Sequence, residues 1–334
     1  MGNETARILI ETTIRRTLRQ FPDDPERSAR NLVDMALNFA DGPRQQQFFQ
    51  AARDVLKNED SPYYALARDV VDHVQTRRLL GFGMALGYNS CTAGVRDIRA
   101  EERRGSCHIP WMVTLALGEN TERLREIISQ GEQLGIHTWA LWADGNPAAA
   151  LPLVQSHPES AFILFCRPGN LGEELLDQAS ELQNLMLAIR AEEGAIALCH
   201  RLRGGQMLYS LCFVYGDRHR ESILNGELLA GVEELHPVFT VLMPEPDCSQ
   251  ETRLAVHRYA MDSRRGEHFK TIVWEYAGDT ELVDAVISGE GLCAGFDRLG
   301  NLLSSRPVSG NFNLQERDLP DIFHLAFPTE GEQP

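Results

Sequence analysis

The sequence has 334 residues and a formal net charge of −16. A chain of this length can form two domains or a single α/β barrel with additions, and its apolar content is ordinary for a globular protein. The acidic excess argues against nucleic acid as a partner, because affinity for phosphates requires a basic surface. No apolar run is long enough to cross a bilayer, so we also expect no membrane partner.

The seven cysteines are scattered along the chain. Cys166 and Cys212 lie within apolar runs and are predicted to pack as small hydrophobic side chains. An odd, scattered set of this kind indicates reduced thiols, and reduced thiols indicate a cytoplasmic protein.

The first 80 residues predict a module of four helices. Apolar residues at helical spacing cover 4–22, and Ser28 is a candidate N-cap for the second helix. A third helix is predicted over about 44–57, and Ser61-Pro62 opens a fourth that runs through residue 80. The glycines of 81–110 do not fit a dinucleotide fingerprint, because no strand precedes them, and they favour a closely packed helix.

Short apolar runs alternate with helix-period segments from Trp111 onward, which is the pattern of repeated βα units on a buried parallel sheet. The predicted strands are 111–117, 137–143, 161–166, 184–190, 208–215 and 238–242. The predicted helices that follow them are 120–134, 148–157, 171–182, 194–204, 221–234 and 249–264. Six such units fall short of a closed eight-stranded barrel.

A further apolar run at 270–276, a short helix at 279–287 and a hairpin follow, with strands at 294–298 and 302–304. The fold class predicted is therefore α/β, with a partial (β/α)6 TIM-like barrel. A helical module precedes the barrel, and a small C-terminal hairpin extension follows it. The corresponding domains are residues 1–110, 111–266 and 267–334.

Several segments carry a resemblance to a known family. They are Gly81–Ser90, Ile109–Trp111, Ser129–Ile136 and, after the hairpin, Asn311–Leu314. Their order and spacing around six βα units resemble the radical SAM superfamily, in the subgroup with a C-terminal SPASM-like extension. The resemblance implies S-adenosylmethionine as a cofactor and a [4Fe–4S] cluster held by a Cys-x3-Cys-x2-Cys motif.

The sequence departs from that family where the cofactors would bind. The loop from Ala116 to Asn120 has no cysteine, and Asn146 stands where the resemblance implies a glutamate. Ser305 takes the position of an auxiliary-cluster cysteine, and Cys293 is a candidate remnant of that cluster. These departures predict a degenerate member of the superfamily with no cofactor, in which neither S-adenosylmethionine nor a [4Fe–4S] cluster is expected.

The leading hypothesis is a noncatalytic radical SAM-like protein that serves as an accessory, scaffold or regulatory subunit. Its partner would be a catalytic radical SAM paralogue, the substrate of such an enzyme, or a second copy of the chain. One alternative is an iron-free small-molecule binder or enzyme that uses the barrel mouth. Another is an iron–sulfur protein with rearranged ligands, drawn from cysteines such as Cys91, Cys107 and Cys293.

Any ligand site is expected at the carboxyl ends of the strands, where parallel α/β sheets bind their ligands. The polar residues predicted at that rim suit a small anionic or zwitterionic molecule, although the sequence favours the simpler interpretation that they form ion pairs with one another. They are Asp144, Asn146, Arg167, Arg190, Glu192, Tyr215, Asp217, Arg218 and Glu245. No catalytic residue and no metal site is predicted, since the histidines are not paired with cysteine or glutamate at ligand spacing.

Overall fold

The computed structural model describes residues 3–40, 42–118 and 120–329 of the chain. The N-terminal part is helical, as predicted, and a π-helix over Met84–Gly94 joins its last two α-helices. The helices are α1 (Asn3–Gln20), α2 (Pro25–Phe39), α3 (Pro43–Val55), α4 (Pro62–His73), α5 (Thr76–Gly83) and α6 (Val95–Gly105).

Strands and helices then alternate. The strands are β1 (Met112–Ala116), β2 (Thr138–Ala143), β3 (Ala161–Cys166), β4 (Leu185–Arg190), β5 (Tyr209–Tyr215), β6 (Phe239–Pro244), β7 (Ile272–Glu275), β8 (Ala294–Phe296) and β9 (Leu302–Ser304). The helices are α7 (Thr121–Gln133), α8 (Leu151–Ser156), α9 (Glu173–Ser180), α10 (Ala195–Gly204), α11 (Arg220–Leu224), α12 (Gln250–Arg265), α13 (Tyr276–Ser288) and α14 (Leu319–Ala326).

The nine strands form one sheet in the order β7-β6-β5-β4-β3-β2-β1-β8-β9. The pairs β1–β2, β4–β5, β5–β6 and β6–β7 are parallel, and β8 pairs in parallel with β1. The predicted hairpin is confirmed, because β8 and β9 pair antiparallel with Gly295 opposite Leu303. The predicted fold class, an α/β partial TIM-like barrel with an N-terminal helical region, is confirmed.

The N-cap predicted for the second helix was wrong. Asp24 caps α2, since its Oδ1 accepts the backbone N–H of Arg27 at 3.0 Å, and Pro25 occupies the first turn. A proline at this position is favoured because it lacks an N–H and already has a helical φ. Ser28 lies within the helix and is buried.

The predicted helix 221–234 was also wrong in length. Only α11 is α-helical there, and two 3₁₀ turns follow it. Gly226 and Gly231 adopt φ values of 80° and 77°, which a continuing α-helix does not allow. The predicted fourth helix is likewise divided, because Val74 is extended between α4 and α5.

The chain forms two compact units. One contains the residues through Leu80, 166–169 and 186–279, and the other contains 81–165, 170–185 and the residues from Thr280 onward. In the first unit, a hydrophobic cluster of Phe21, Ala29, Leu56 and Tyr64 holds the N-terminal helices together.

Arg78 is a buried side chain of the first unit, with 1% of its surface exposed. Its Nη1 donates to the carbonyl oxygens of Gly205 and Gln206, which follow the end of α10. Because hydrogen bonds from a charged donor are worth more than neutral ones, we expect Arg78→Ala to lower the free energy of unfolding by about 2 kcal/mol. Urea denaturation measures this loss.

The neighbouring exposed arginine supplies the control for that measurement. Arg77 donates to the side chain of Gln75 two residues away, within the same exposed turn. Arg77→Ala should therefore leave the urea midpoint unchanged. If the two variants unfold at the same urea concentration, the contacts of Arg78 do not stabilise this unit.

The outer edge of β7 is closed by two side chains. The N–H of Ile272 donates to the carbonyl oxygen of Val238, on the side of β7 that faces β6. Backbone groups alternate in direction along a strand, so those of Val273 and Glu275 point away from β6. Arg264 donates to the Val273 carbonyl, and Asp279 Oδ2 accepts the Glu275 N–H at 2.7 Å. The guanidinium and the carboxylate are themselves paired, with Nη1 and Oδ2 2.7 Å apart.

In the second unit, His108 lies between two carboxylates and is 2% exposed. Its Nδ1 is 2.9 Å from Glu102 Oε1, and its Nε2 is 2.6 Å from Asp284 Oδ2. Asp284 also accepts the backbone N–H of Trp111 at 2.9 Å. This cluster joins α6, the segment that leads into β1, and α13.

The predicted close packing of the glycine-rich segment is confirmed. Gly94 ends the π-helix, and a Cβ placed on it would lie 2.3 Å from the carbonyl oxygen of Gly135. Gly135, which follows α7, has a φ of +93° that favours glycine. The two backbones can therefore approach only because both positions lack a side chain.

The seven cysteines all lie in the described part of the chain, and none is in a disulfide. Cys166 and Cys212 are buried within strands, as predicted. Over the described ranges, no helix is both long enough and apolar enough to span a membrane.

Candidate functional site

The strands β1, β2 and β3 have two faces with different surroundings. Trp139 faces α7, since a Cβ placed on Gly131 of that helix would lie 2.4 Å from the Trp139 ring. Side chains alternate along a strand, so Trp142 lies on the opposite face, which we call the inner face. The amino end of this inner face is covered by the π-helix, because Thr138 donates to Ser90 Oγ at 2.8 Å.

Four residues of these strands are partly exposed, and every other residue of the three strands is buried. We call these four the inner hollow: Thr114, Ala116, Trp142 and Ile163. They share the inner face, because Ala116 is in register with Trp142, and Ile163 is two residues from Phe165, which stacks on Trp142. Solvent therefore reaches the carboxyl half of the inner face, while the helix-facing side of the same strands is sealed.

Trp142 is held in a fixed orientation within the inner hollow. Its ring stacks on Phe165 with centroids 5.0 Å apart and an interplanar angle of 25°. Its indole N–H donates to Asp144 Oδ2 at 2.9 Å, and Asn170 donates to the Asp144 carbonyl at 2.7 Å. Asn146, the next predicted rim residue, is exposed, and its side chain does not cap the turn that follows it.

In the other unit, the structure brings three of the predicted residues together. Arg167 Nη1 lies 3.4 Å from Glu192 Oε2, and Arg190 Nε lies 3.9 Å from the same oxygen. Two guanidinium groups thus share one partly exposed carboxylate at the carboxyl ends of β3 and β4. Such a set can take a carboxylate on its arginines and an ammonium on its glutamate.

Tyr215 is also at a strand end, but it is buried, and its hydroxyl donates to Glu275 Oε1 at 2.8 Å. Burial raises the pKa of Glu275, although the N–H of Gly278 and the Tyr215 hydroxyl both donate to its carboxylate and oppose that rise. Burial likewise raises the pKa of Tyr215. The pair joins β5 to β7.

The remaining predicted residues of this unit make contacts within the protein. Asp217 Oδ1 accepts from Ser249 Oγ at 2.6 Å, beside the start of α12. Arg218 and Glu245 form a two-point ion pair. These three residues contribute to the packing of the loops after β5 and β6, and their availability to a ligand stays a prediction.

The family that the sequence resembles implies a [4Fe–4S] cluster, which is held by cysteine thiolates. In the loop after β1, Asn120 caps α7 and Gly118 packs against the carbonyl oxygen of Arg298; Glu119 lies outside the described residues. Within the described ranges, no three His, Cys, Asp or Glu side chains form a group that could hold a metal ion. The described donors therefore do not fit a cluster, and we derive no step through one.

Burial sets the protonation of the cysteine thiols, whereas the ligands of a cluster are thiolates. Burial raises the pKa of Cys91 to about 11 and that of Cys199 to about 11. Burial also raises the pKa of Cys107 and of Cys166. These environments favour the neutral thiol.

No protein-family model matches this sequence, and no curated protein is similar to it. The fold is similar to that of Streptococcus suis SuiB bound to the precursor peptide SuiA, with a TM-score of 0.50 at 10% sequence identity over 69% of this chain and 68% of that chain. SuiB bound to S-adenosylmethionine gives a TM-score of 0.49 at 10% identity, over 69% of this chain and 67% of that chain. At this identity the likeness shows a similar fold alone.

This comparison corrects two predictions made from the sequence. The chain was predicted to be noncatalytic and to have no cofactor, with S-adenosylmethionine not expected. SuiB, whose fold is similar over 69% of this chain, is bound to a precursor peptide in one structure and to S-adenosylmethionine in another. The missing cysteines and the substitution at Asn146 concern two loops, and they do not show that this chain is noncatalytic or without a cofactor.

Sequence reasoning missed the inner hollow. Its residues are apolar or small, and only polar residues were considered as rim candidates. The alternation of side chains along a strand could have revealed them. Leu141 and Ala143 face the helices, so Trp142, which lies between them, faces the opposite side of the sheet. A large aromatic residue on the inner face, at the carboxyl end of a strand, indicates a surface that a ligand can reach.

Proposed function

We propose that this chain is an enzyme of the radical SAM-like barrel fold that binds S-adenosylmethionine at the carboxyl ends of its strands and acts on a peptide. The observation that carries the proposal is the inner hollow, whose residues are partly exposed to solvent although the opposite face of β1, β2 and β3 is buried. Ligands of parallel α/β sheets bind at this edge. The fold similarity to SuiB bound to a precursor peptide supports the peptide substrate, and the sequence resemblance to the radical SAM superfamily supports S-adenosylmethionine.

Within the first unit, the charges at the ends of β3 and β4 suit an amino-acid group. Arg167 and Arg190 can pair with a carboxylate, and Glu192 can pair with an ammonium group. In the unit of the inner hollow, Asp144 and the exposed Asn146 offer further acceptors. S-adenosylmethionine, when bound, supplies a sulfonium; the chain's own residues are proposed to bind and orient the ligand.

The proposal extends to the domain boundaries and to the location of the protein. Residues 267–334 are proposed as a SPASM-like extension, 111–266 as the barrel and 1–110 as the helical module and lead-in. We propose a cytoplasmic location, since all the cysteines are outside disulfides. The rim residues named from the sequence remain candidates for ligand contacts.

Calorimetric titration with S-adenosylmethionine tests the proposal. We expect one saturable site in the wild-type chain and a Kd about tenfold higher in Ala116→Leu, because a larger side chain occupies the hollow. A thermal shift should accompany binding, since a ligand at about 100 times its Kd adds about 2.7 kcal/mol to stability.

The matched control is Ala51→Leu, which adds the same side chain at an exposed position of α3. Its Kd for S-adenosylmethionine should equal that of the wild type. The proposal is overturned if the wild-type chain shows neither heat of binding nor a thermal shift at millimolar S-adenosylmethionine.

A further inference from the structure

Trp142 differs from the other tryptophan of its strand. Trp139 is 0% exposed and packs under α7, whereas Trp142 is partly exposed on the inner face. A large aromatic side chain that serves only packing is expected to lie buried, because that is how it contributes most to stability. Trp142 instead presents part of its indole to the inner hollow.

The indole is also restrained more than an exposed side chain usually is. Phe165 stacks on it, Asp144 accepts its N–H, and Asn170 in turn holds the Asp144 backbone. These contacts fix both the position and the tilt of the ring. A surface that is already ordered loses little conformational entropy when it binds a ligand.

The neighbours of the ring leave space for a ligand. The residue in register with Trp142 on β1 is Ala116, and the residue in register with Ala140 is Thr114. Ala116, Ala140 and Thr114 have small side chains, and Ala116 and Thr114 are themselves partly exposed. A flat group that enters the inner hollow would therefore contact the indole of Trp142 and the small side chains beside it on β1 and β2.

We propose that Trp142 is a stacking platform for a planar aromatic ring of the ligand. This inference deepens the proposed function by naming the chemical group that the inner hollow selects. Aromatic rings stack on tryptophan in an offset or tilted arrangement, and such stacking is tolerant of the identity of the ring. The ring has two candidate sources, a nucleoside base or an aromatic side chain of a peptide.

Fluorine NMR of the full chain labelled with 5-fluorotryptophan tests this proposal. The four tryptophans give four signals, and Trp142→Phe assigns the signal of Trp142 by its loss. The probes are adenosine and N-acetyltyrosinamide, with ribose and N-acetylalaninamide as partners that lack the ring. We expect the Trp142 signal to shift saturably with at least one of the two ring compounds and with neither ring-free partner.

Variants add a second measurement. Trp142→Leu should raise the Kd of the binding ring compound about tenfold, and Trp142→Phe, which keeps a ring, should raise it by much less. A ring compound that shifts all four signals equally, or ring-free partners that shift the Trp142 signal as much, would overturn the inference. So would equal affinities for the leucine and phenylalanine variants.

The two proposals fail in distinguishable ways. If S-adenosylmethionine binds without moving the Trp142 signal, and neither ring compound moves it, the platform is wrong and the proposed function stands. If S-adenosylmethionine does not bind but N-acetyltyrosinamide shifts the Trp142 signal, the platform stands and the proposed cofactor is wrong. Adenosine and N-acetyltyrosinamide together identify the source of the ring.

Discussion

Replacing Asp279 by asparagine should lower the free energy of unfolding by about 3 to 5 kcal/mol, because it removes one partner of a buried ion pair. Asp279 is 1% exposed and pairs with Arg264 and with His257 Nε2, the latter at 3.3 Å. Asparagine keeps the shape of the aspartate side chain, so the loss in unfolding free energy measures the contribution of the negative charge. Urea denaturation at pH 7 measures it.

Acid should remove the same contribution from the wild-type chain. Burial acts to raise the pKa of Asp279, but the hydrogen bonds from His257 and Arg264 outweigh it and leave that pKa lowered. A carboxyl whose pKa is lowered by folding stabilises the protein above its unfolded pKa, and this stability is lost as the pH falls through the folded value. The gap in stability between the wild type and Asp279→Asn should therefore narrow in acid.

Asp54→Asn is the control for this variant, since Asp54 forms only exposed contacts with Lys57 and Gln50. Its unfolding curve should match that of the wild type. An Asp279→Asn chain that unfolds at the same urea concentration as Asp54→Asn would show that the edge of β7 does not depend on this carboxylate.

Replacing His108 by glutamine should destabilise the chain by about 3 kcal/mol at neutral pH and by progressively less as the pH rises toward 10. Burial acts to lower the pKa of His108, but the hydrogen bonds and charges of Asp284 and Glu102 raise it to about 9. A histidine with a raised folded pKa contributes its full stability below the unfolded value of about 6.5 and loses it as the pH passes through the folded value. Denaturation series from pH 6 to pH 10 measure both chains.

His324→Gln is the matched control, because His324 lies exposed on α14. Its stability should follow the wild-type curve at every pH. A constant difference between His108→Gln and the wild type from pH 6 to pH 10 would contradict a charged His108.

The order of the elements could be predicted from the sequence because it depends on short-range patterns. Apolar runs of five to seven residues, such as β2 and β5, are long enough for buried strands and too short for helices. The turn at Leu299–Asn301 placed the hairpin for the same local reason. Errors arose at Asp24 and Gly226, where a single cap or a positive φ decides the end of a helix.

The candidate site was less predictable because it depends on register and on long-range pairing. That Ala116 lies beside Trp142 follows from how β1 aligns with β2, which the sequence does not specify. The hydrogen bond from Tyr215 to Glu275 likewise joins residues that are sixty positions apart in the sequence. Polar residues at strand ends were found easily, but the sequence does not distinguish those that are satisfied internally from those that face a ligand.

The side-chain closure of β7 has a consequence for the behaviour of the protein in solution. A strand at the border of a sheet normally offers unpaired N–H and C=O groups to the strands of other molecules, which leads to aggregation. Here Arg264 pairs with one of those groups, the Val273 carbonyl, and Asp279 pairs with another, the Glu275 N–H, in place of a further strand. Because the pKa of the Asp279 carboxyl is lowered by folding, this border should stay closed at pH values where an ordinary aspartate is already protonated, and self-association through β7 is expected only in stronger acid.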